Sequence, residues 1–335
     1  MNAYSFSPTP KDLPSNGRLI PMPPAKRAKI AALAGGVGAS KLLLGLYDTM
    51  DPRDLAVIVN TGDDIVLHGL KISPDLDIVT YTLAGIVDDA KGWGYRDETF
   101  HALERLAAFG RANWFNLGDR DLATHIHRTA MVAEGKSLSE VAEAIRVALG
   151  VKARILPMSE QAVPTMIATD EGELHFQEYL VKRRAEPIVR AIRFDGADTA
   201  GPAEGVLDAI RGADRILICP SNPLISIGPI LAVRGVREAL RARKKSVVAV
   251  CPIVGGKSLK GPSDKMLAEL GYEPSALGVA KLYADFNGTF VIDPADKAQT
   301  ASIRKLGMKV EVIPTVMTTR AQKRKLARSL LALKM

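Results

Sequence analysis

Lys29-Ile30-Ala31-Ala32-Leu33-Ala34 runs directly into Gly35-Gly36-Val37-Gly38-Ala39-Ser40-Lys41, and Leu42-Leu43-Leu44-Gly45-Leu46 follows at once. The first segment is an apolar run of strand length, the second a glycine turn, the third the start of an apolar helix pattern. Strand, glycine turn and helix N-terminus in that order make a place to hold a phosphate. Glycines let the backbone approach the ligand, and free N–H groups at the positive end of the helix dipole attract the anion. The spacing meets neither standard nucleotide motif. A dinucleotide fingerprint needs a third glycine where Lys41 stands, and the spacing of a Walker loop is also missed. The stretch names a ligand class, nucleotide or phosphate ester, and no reaction. Ser40 offers such a ligand a hydroxyl and Lys41 a charge; a plain turn with a solvated Lys41 is the alternative.

Working outward, apolar runs rich in Val, Ile and Leu occupy residues 55–60, 215–219, 246–251, 289–293 and 309–314, with amphipathic helix patterns between most of them. This alternation predicts an α/β fold: a Rossmann-like, mostly parallel sheet with helices on both faces. Residues 96–150 break the pattern. Helix signals over 97–109, 119–133 and 137–149, with no strand between, predict a helical subdomain at the C-terminal edge of the strands. Residues 153–194 read as strands around a turn at Asp170-Glu171-Gly172, an extension of the sheet or a small β subregion. Residues 1–25 are polar with six prolines, the composition of a disordered leader, which leaves 26–335 as a single α/β domain. The loops at 35–41, 60–64, 220–223 and 252–257 each follow a predicted strand. In an open parallel sheet such loops share one edge, where ligands bind.

The chain is 47% hydrophobic and 24% charged, ordinary for a soluble globular protein. No run approaches the ~20 apolar residues of a membrane helix, and the N-terminus lacks a signal-peptide core, so a cytoplasmic location without a membrane partner is expected. The net charge of +8 sits at the ends: residues 1–29 carry +4 and residues 312–335 carry +6, leaving −2 between them. Basic ends on a near-neutral body argue against nucleic acid as a partner. The last segment reads as a terminal helix with Leu326, Leu330 and Leu333 turned inward. Cys219 and Cys251 each precede a proline after an apolar run. Two isolated cysteines make neither a zinc site nor a disulfide framework.

An acidic stretch follows the second apolar run: Asn60, Asp63, Asp64, then Asp75 and Asp77. Carboxylates beside a phosphate site suit a hard cation between them, and magnesium takes oxygen ligands of this kind. Single aspartates are also common turn and cap residues. Asn116-Leu117-Gly118-Asp119-Arg120-Asp121 leads into a helix pattern in which Asp119 has a cap as its simpler role. His125 and His127 lie two apart, so a helix points them in different directions and they form no zinc pair. Lys91-Gly92-Trp93-Gly94-Tyr95 either stacks on a flat heterocycle or anchors the helical segment.

Six motifs in order resemble one family. They are residues 35–46, 60–64, 73–80 (SPDLDIVT), 116–126 (NLGDRDLATHI), 175–178 (HFQE) and 220–231 (PSNPLISIGPIL). Together, from about residue 30 to 331, they resemble the 2-phospho-L-lactate transferases, CofD or FbiA, of coenzyme F-420 biosynthesis. The resemblance implies transfer of a phospholactyl, phosphoenolpyruvyl or 3-phosphoglyceryl moiety from a guanosine-diphosphate-activated donor. The acceptor would be the terminal ribityl hydroxyl of the deazaflavin Fo, with GMP leaving, Mg2+ required and a homodimer as the unit. It implies catalytic roles for Asp63, Asp64 and Asp77, with Asp63 and Asp64 on the metal. It implies Fo contacts from Asp77, Trp93, Asn116 and Asp119; some members have Lys where Asn116 stands. Gly35, Gly36, Gly38, Ser40, Lys41, Ser221, Asn222 and Pro223 would hold the nucleotide, with Lys257 expected beside them. Gluconeogenesis factors share the fold and a glycine-rich loop and bind nucleotide sugars as regulators, but lack segments like SPDLD and GDRDLATHI. An NAD-dependent dehydrogenase is disfavoured by Lys41 and by the missing acid at the end of the 55–60 run.

Overall fold

The structure, a computed structural model, describes residues 29–334; the expected leader at 1–25 lies outside them. In chain order the strands are β1 (Ile30–Ala34), β2 (Leu55–Val59), β3 (Ile65–Leu67), β4 (Leu70–Ile72), β5 (Arg154–Pro157), β6 (Thr165–Thr169) and β7 (Gly172–His175). They continue as β8 (Val189–Phe194), β9 (Arg215–Ile218), β10 (Val247–Val250), β11 (Ile253–Val254), β12 (Lys257–Ser258), β13 (Thr289–Ile292) and β14 (Lys309–Val312). Seven of them form one sheet in the order β5-β2-β1-β9-β10-β13-β14, and every pairing in it is parallel. The chain winds from β1 outward through β2 to β5, returns to the middle at β9, and winds the other way. The reversal lies between β1 and β9, so the loops leaving these two strands diverge and open a crevice.

The apolar runs have a face for each residue. Ala31 and Leu33 of β1 join Ile216, Ile218 and Ala249 in one core, while Ile30, Ala32 and Ala34 join Leu217, Val248 and Val250 in the other. Both faces are buried, which is why the runs lack the polar alternation of a half-exposed strand. On the second face lie α1 (Gly36–Tyr47), α2 (Pro74–Ala84) and the C-terminal helix Arg320–Ala332. Leu326 and Leu330 of that helix are buried there and Leu333 packs at the margin.

Three more helices lie between α2 and β5: α3 (His101–Ala108), α4 (Asp119–Ala133) and α5 (Leu138–Ala148). Helix α5 starts on a capping box in which Ser137 and Glu140 satisfy each other's backbone amides. Residues 153–194 divide between the two expected outcomes. β5 becomes the edge of the main sheet, and β7-β6-β8 form a separate antiparallel sheet. Most predicted strands end one or two residues early, because Asn60, Cys219, Cys251 and Asp293 already belong to the loops. The larger correction is at the glycine turn. Helix α1 begins at Gly36, so only Gly35 remains outside it, and residues 36–41 form its first turns.

Candidate active site

The crevice at the β1–β9 reversal is a cleft of about 610 Å³. Gly35, Gly36, Gly38 and Lys41 line one wall beside Pro220, Ser221 and Asn222. Ser221 fastens this wall: its Oγ donates to the Gly35 carbonyl at 2.8 Å and accepts from the Gly35 amide at 3.4 Å. Asn222 folds its own loop, its Oδ1 accepting from the amides of Leu224 at 2.9 Å and Ile225 at 3.4 Å. Gly36 has φ +68°, which a side chain would strain. Gly38 is needed for a different reason: a Cβ there would stand 2.3 Å from the Pro220 carbonyl oxygen. The close approach at Gly38 is therefore to protein backbone. Lys41 is half-buried, and burial lowers its pKa, with Lys260 and Lys323 lowering it further.

Asp63, Asp75, Asp77 and Asp121 also line the cleft, and Asp75 adjoins the glycine wall, accepting from the Gly36 backbone amide. Asn60, with no solvent exposure, organises the first two. Its Nδ2 donates to Asp63 Oδ1 at 3.0 Å and to Asp75 Oδ2 at 2.9 Å, while its Oδ1 accepts from the Gly62 amide at 2.8 Å. Two buried carboxylates on one amide group repel each other. Burial drives the Asp63 pKa well above the carboxylate range and Asp75 adds to it. Asp75 is pushed up to about 6 by burial, with its ionised form stabilised by Asn60 and the Gly36 backbone amide. Asp77 is held differently. Arg128, itself 2% exposed, donates to Asp77 Oδ1, accompanied by His125 Nδ1 at 3.8 Å from Asp77 Oδ2. Burial raises the Asp77 pKa and Arg128 pulls it back. Asp77 Oδ2 has no hydrogen-bond partner among the described residues.

Several expected site residues lie elsewhere. Ser40 is inside α1, and its Oγ donates to the Val37 carbonyl at 2.9 Å because a helical serine reaches back one turn. Asp119 turns away from the cleft: its carboxylate accepts from Thr99 Oγ1 at 2.6 Å and from the amides of His101 and Ala102, stabilising the start of α3. Pro223 lines a second, apolar hollow behind the wall. Asp64 lies behind Asp63, accepts from Ser73 Oγ at 2.8 Å and is pushed up to about 8 by burial. Lys257 is exposed near Asp264, whereas Lys260 lines the cleft and donates to the Lys91 carbonyl at 2.9 Å. Trp93 and Asn116 do line the cleft, joined by Tyr81, Phe115 and Phe176. Arg128, Gln177 and Lys260 escaped the sequence reading, although Gln177 lies within the HFQE motif and Arg128 follows GDRDLATHI by two residues.

Asp77, Asp121 and His125 bring one ligand atom each within 4.8 Å of one another. Arg128 already supplies the cation at that point, so this group reads as an internal charge network. Asp63 and Asp75 have no such internal cation among the described residues.

The family model for 2-phospho-L-lactate transferase CofD matches residues 30–325. The chain belongs to the CofD family. It is 46% identical over 312 residues to the phosphoenolpyruvate transferase of Kitasatospora aureofaciens, covering 91% of this chain and 97% of the relative. It is 41% identical to the 2-phospho-L-lactate transferase of Methanosarcina mazei, covering 88% and 96%. The family and its relatives make the protein a transferase of the F-420 biosynthetic type. A UPF0052-family protein from Bacillus halodurans superposes with a TM-score of 0.62 at 18% identity, covering 91% of this chain and 99% of that one. At that identity the likeness shows the fold alone. The expected CofD membership is thus met, and the regulatory and dehydrogenase readings have no support. No helix among the described residues is long and apolar enough to cross a membrane.

Proposed function

We propose that the protein transfers the phospho-acid part of a guanosine-diphosphate-activated acid to the terminal ribityl hydroxyl of Fo, releasing GMP. The observation that carries this reading is a single cleft lined by the start of α1, Lys41 and Ser221 together with ordered carboxylates, of which Asp75 adjoins Gly36. Phosphoryl-type transfer is mostly positioning and charge neutralisation, and this lining provides both. Gly35, Gly36, Gly38, Lys41, Ser221 and Asn222 hold the donor. Trp93, Phe115 and Asn116 hold the acceptor ring, leaving its ribityl chain to run toward Asp77. The acceptor oxygen bonds to the phosphorus nearest the acid, the bridging P–O bond breaks, and GMP leaves with the bridging oxygen. The hydroxyl proton passes to Asp77, which lines the cleft, has one carboxylate oxygen without a protein partner, and has its pKa raised by burial.

The residues fit Mg2+ at Asp63 and Asp75, rather than at Asp63 and Asp64 as the resemblance implies. Both line the cleft, both offer oxygen, and their mutual repulsion calls for a cation. When bound, the ion supplies charge neutralisation to the diphosphate. The homodimer implied by the resemblance and the cytoplasmic location expected from the sequence belong to the same proposal.

The test is purified protein with Fo, Mg2+ and a panel of the phospholactyl, phosphoenolpyruvyl and 3-phosphoglyceryl donors. GMP release with one donor, with a product of matching mass, is expected, and chelation should abolish it. No GMP from any donor, in conditions where the M. mazei relative turns over, overturns the proposal. Light scattering on the same preparation reads the oligomeric state.

A further inference from the structure

Gln177 is 4% exposed, lines the cleft, and its carboxamide has no hydrogen-bond partner among the described residues. Its backbone amide is engaged, donating to His175 Nδ1 at 3.2 Å, so the main chain there is fixed while the side chain is free. It stands at the entry to a π-helical turn, Glu178–Lys182, a rare distortion that recurs at functional sites. Its neighbour Phe176 is buried in a small core with Ile225 and Met266, which leaves the backbone little room to withdraw the amide from the cleft. With no protein partner, the carboxamide opens onto the cleft, where a bound ligand can supply both of its hydrogen bonds.

A carboxamide offers one donor edge and one acceptor edge side by side. That pair complements a ring lactam, where C=O and N–H are adjacent. It does not complement a phosphate or a carboxylate, which only accept. We infer that Gln177 reads the lactam edge of a planar ring bound in the cleft. This deepens the proposed function and rests on it, since both of its substrates carry such an edge: Fo in its pyrimidinedione ring and the donor in guanine. Gln177 is on this view a specificity residue, with no part in moving the proton.

The test uses Gln177→Leu and Gln177→Glu in the full chain. Fo binding is read from its own fluorescence, GDP binding by calorimetry, each beside its N-methylated lactam analogue. In the unaltered protein the N-methyl form of one ring should bind roughly 10- to 100-fold more weakly than its parent, the loss of a paired hydrogen-bond set. Gln177→Leu should weaken the parent by a similar factor and abolish the discrimination. The ring that responds identifies the source of the edge. The melting temperature of Gln177→Leu should stay level or rise, because the amide satisfies nothing within the free protein. Discrimination unchanged for both rings, or a fall in melting temperature with binding intact, overturns the inference. Failure of the unaltered protein to turn over Fo with any donor would instead count against the proposed function.

Discussion

Arg128→Gln should destabilise the protein in a manner that depends on pH. Arg128 is 2% exposed and Asp77 is 5% exposed. The guanidinium donates to Asp77 Oδ1, stands 3.1 Å from His125 Nδ1 and donates to the Lys71 carbonyl at 3.3 Å. Glutamine is too short and carries no charge, so Asp77 would remain buried beside Asp121 and Asp64 without its cation. Breaking a buried pair from one side costs about 3–5 kcal/mol. In a domain this large each kcal/mol moves the melting temperature by roughly 2 °C, so a drop of roughly 6–10 °C is expected at pH 8. Without Arg128 the folded-state pKa of Asp77 rises further above its unfolded value. The folded form then holds a proton that the unfolded form has lost, so the variant regains stability as pH falls through the folded pKa toward ~4. Urea unfolding at pH 8 and pH 5.5 measures this. Asp77→Asn combined with Arg128→Gln should recover much of the loss, since no unpaired charge remains. A cost below about 1 kcal/mol, or one equal at both pH values, would refute the pairing as the source of Asp77's ionisation.

Asp63→Asn should slow GMP release roughly 100-fold or more, yet raise the melting temperature, because it removes one of two repelling carboxylates from Asn60; thermal unfolding beside turnover checks both signs. Gly38→Ala should cost roughly 1–3 kcal/mol, since its Cβ meets the Pro220 carbonyl at 2.3 Å, and the urea midpoint reads it. Cys219 and Cys251 should resist a thiol reagent until the protein unfolds: both are buried, and burial raises both thiol pKa values, that of Cys251 to about 12. Ser137→Ala removes half of the capping box and should cost about 1 kcal/mol without changing turnover.

The sheet was legible because its strands are buried on both faces. Residues 55–59 and 247–250 are continuous apolar runs for that reason, and their period admits no half-exposed reading. Helix α4 appeared with its bounds intact, since its start is marked by Gly118 and its end by the Glu134-Gly135 turn. The glycine loop was misjudged in extent because glycines 36 and 38 resemble a turn in sequence. Their freedom is used to start a helix and to pass close to the Pro220 loop. The pairing of Asp63 with Asp75 was not legible, because it depends on one amide of Asn60 reaching residues three and fifteen positions away. Adjacency in sequence favoured Asp64, which packs behind Asp63 onto Ser73. Asp119 misled in a similar way: its carboxylate serves the start of a helix eighteen residues upstream.

The lining of the cleft carries groups of both signs. Lys41 feels Lys260 and Lys323, so positive charge accumulates along the α1 side. Asp75 lies beside the start of α1, and burial raises the pKa of Asp63, Asp75 and Asp77, so each needs a cation nearby to hold its negative charge. Low-dielectric walls strengthen both fields relative to water. In the proposed reaction the diphosphate would lie by the start of α1 and the Asp63–Asp75 pair, and the acceptor's polyol chain would run toward Asp77. On this reasoning Asn60 and Arg128 matter as much as the carboxylates they hold. They keep two kinds of aspartate apart, one pair left short of cations beside the phosphates and one carboxylate supplied with its own at the acceptor.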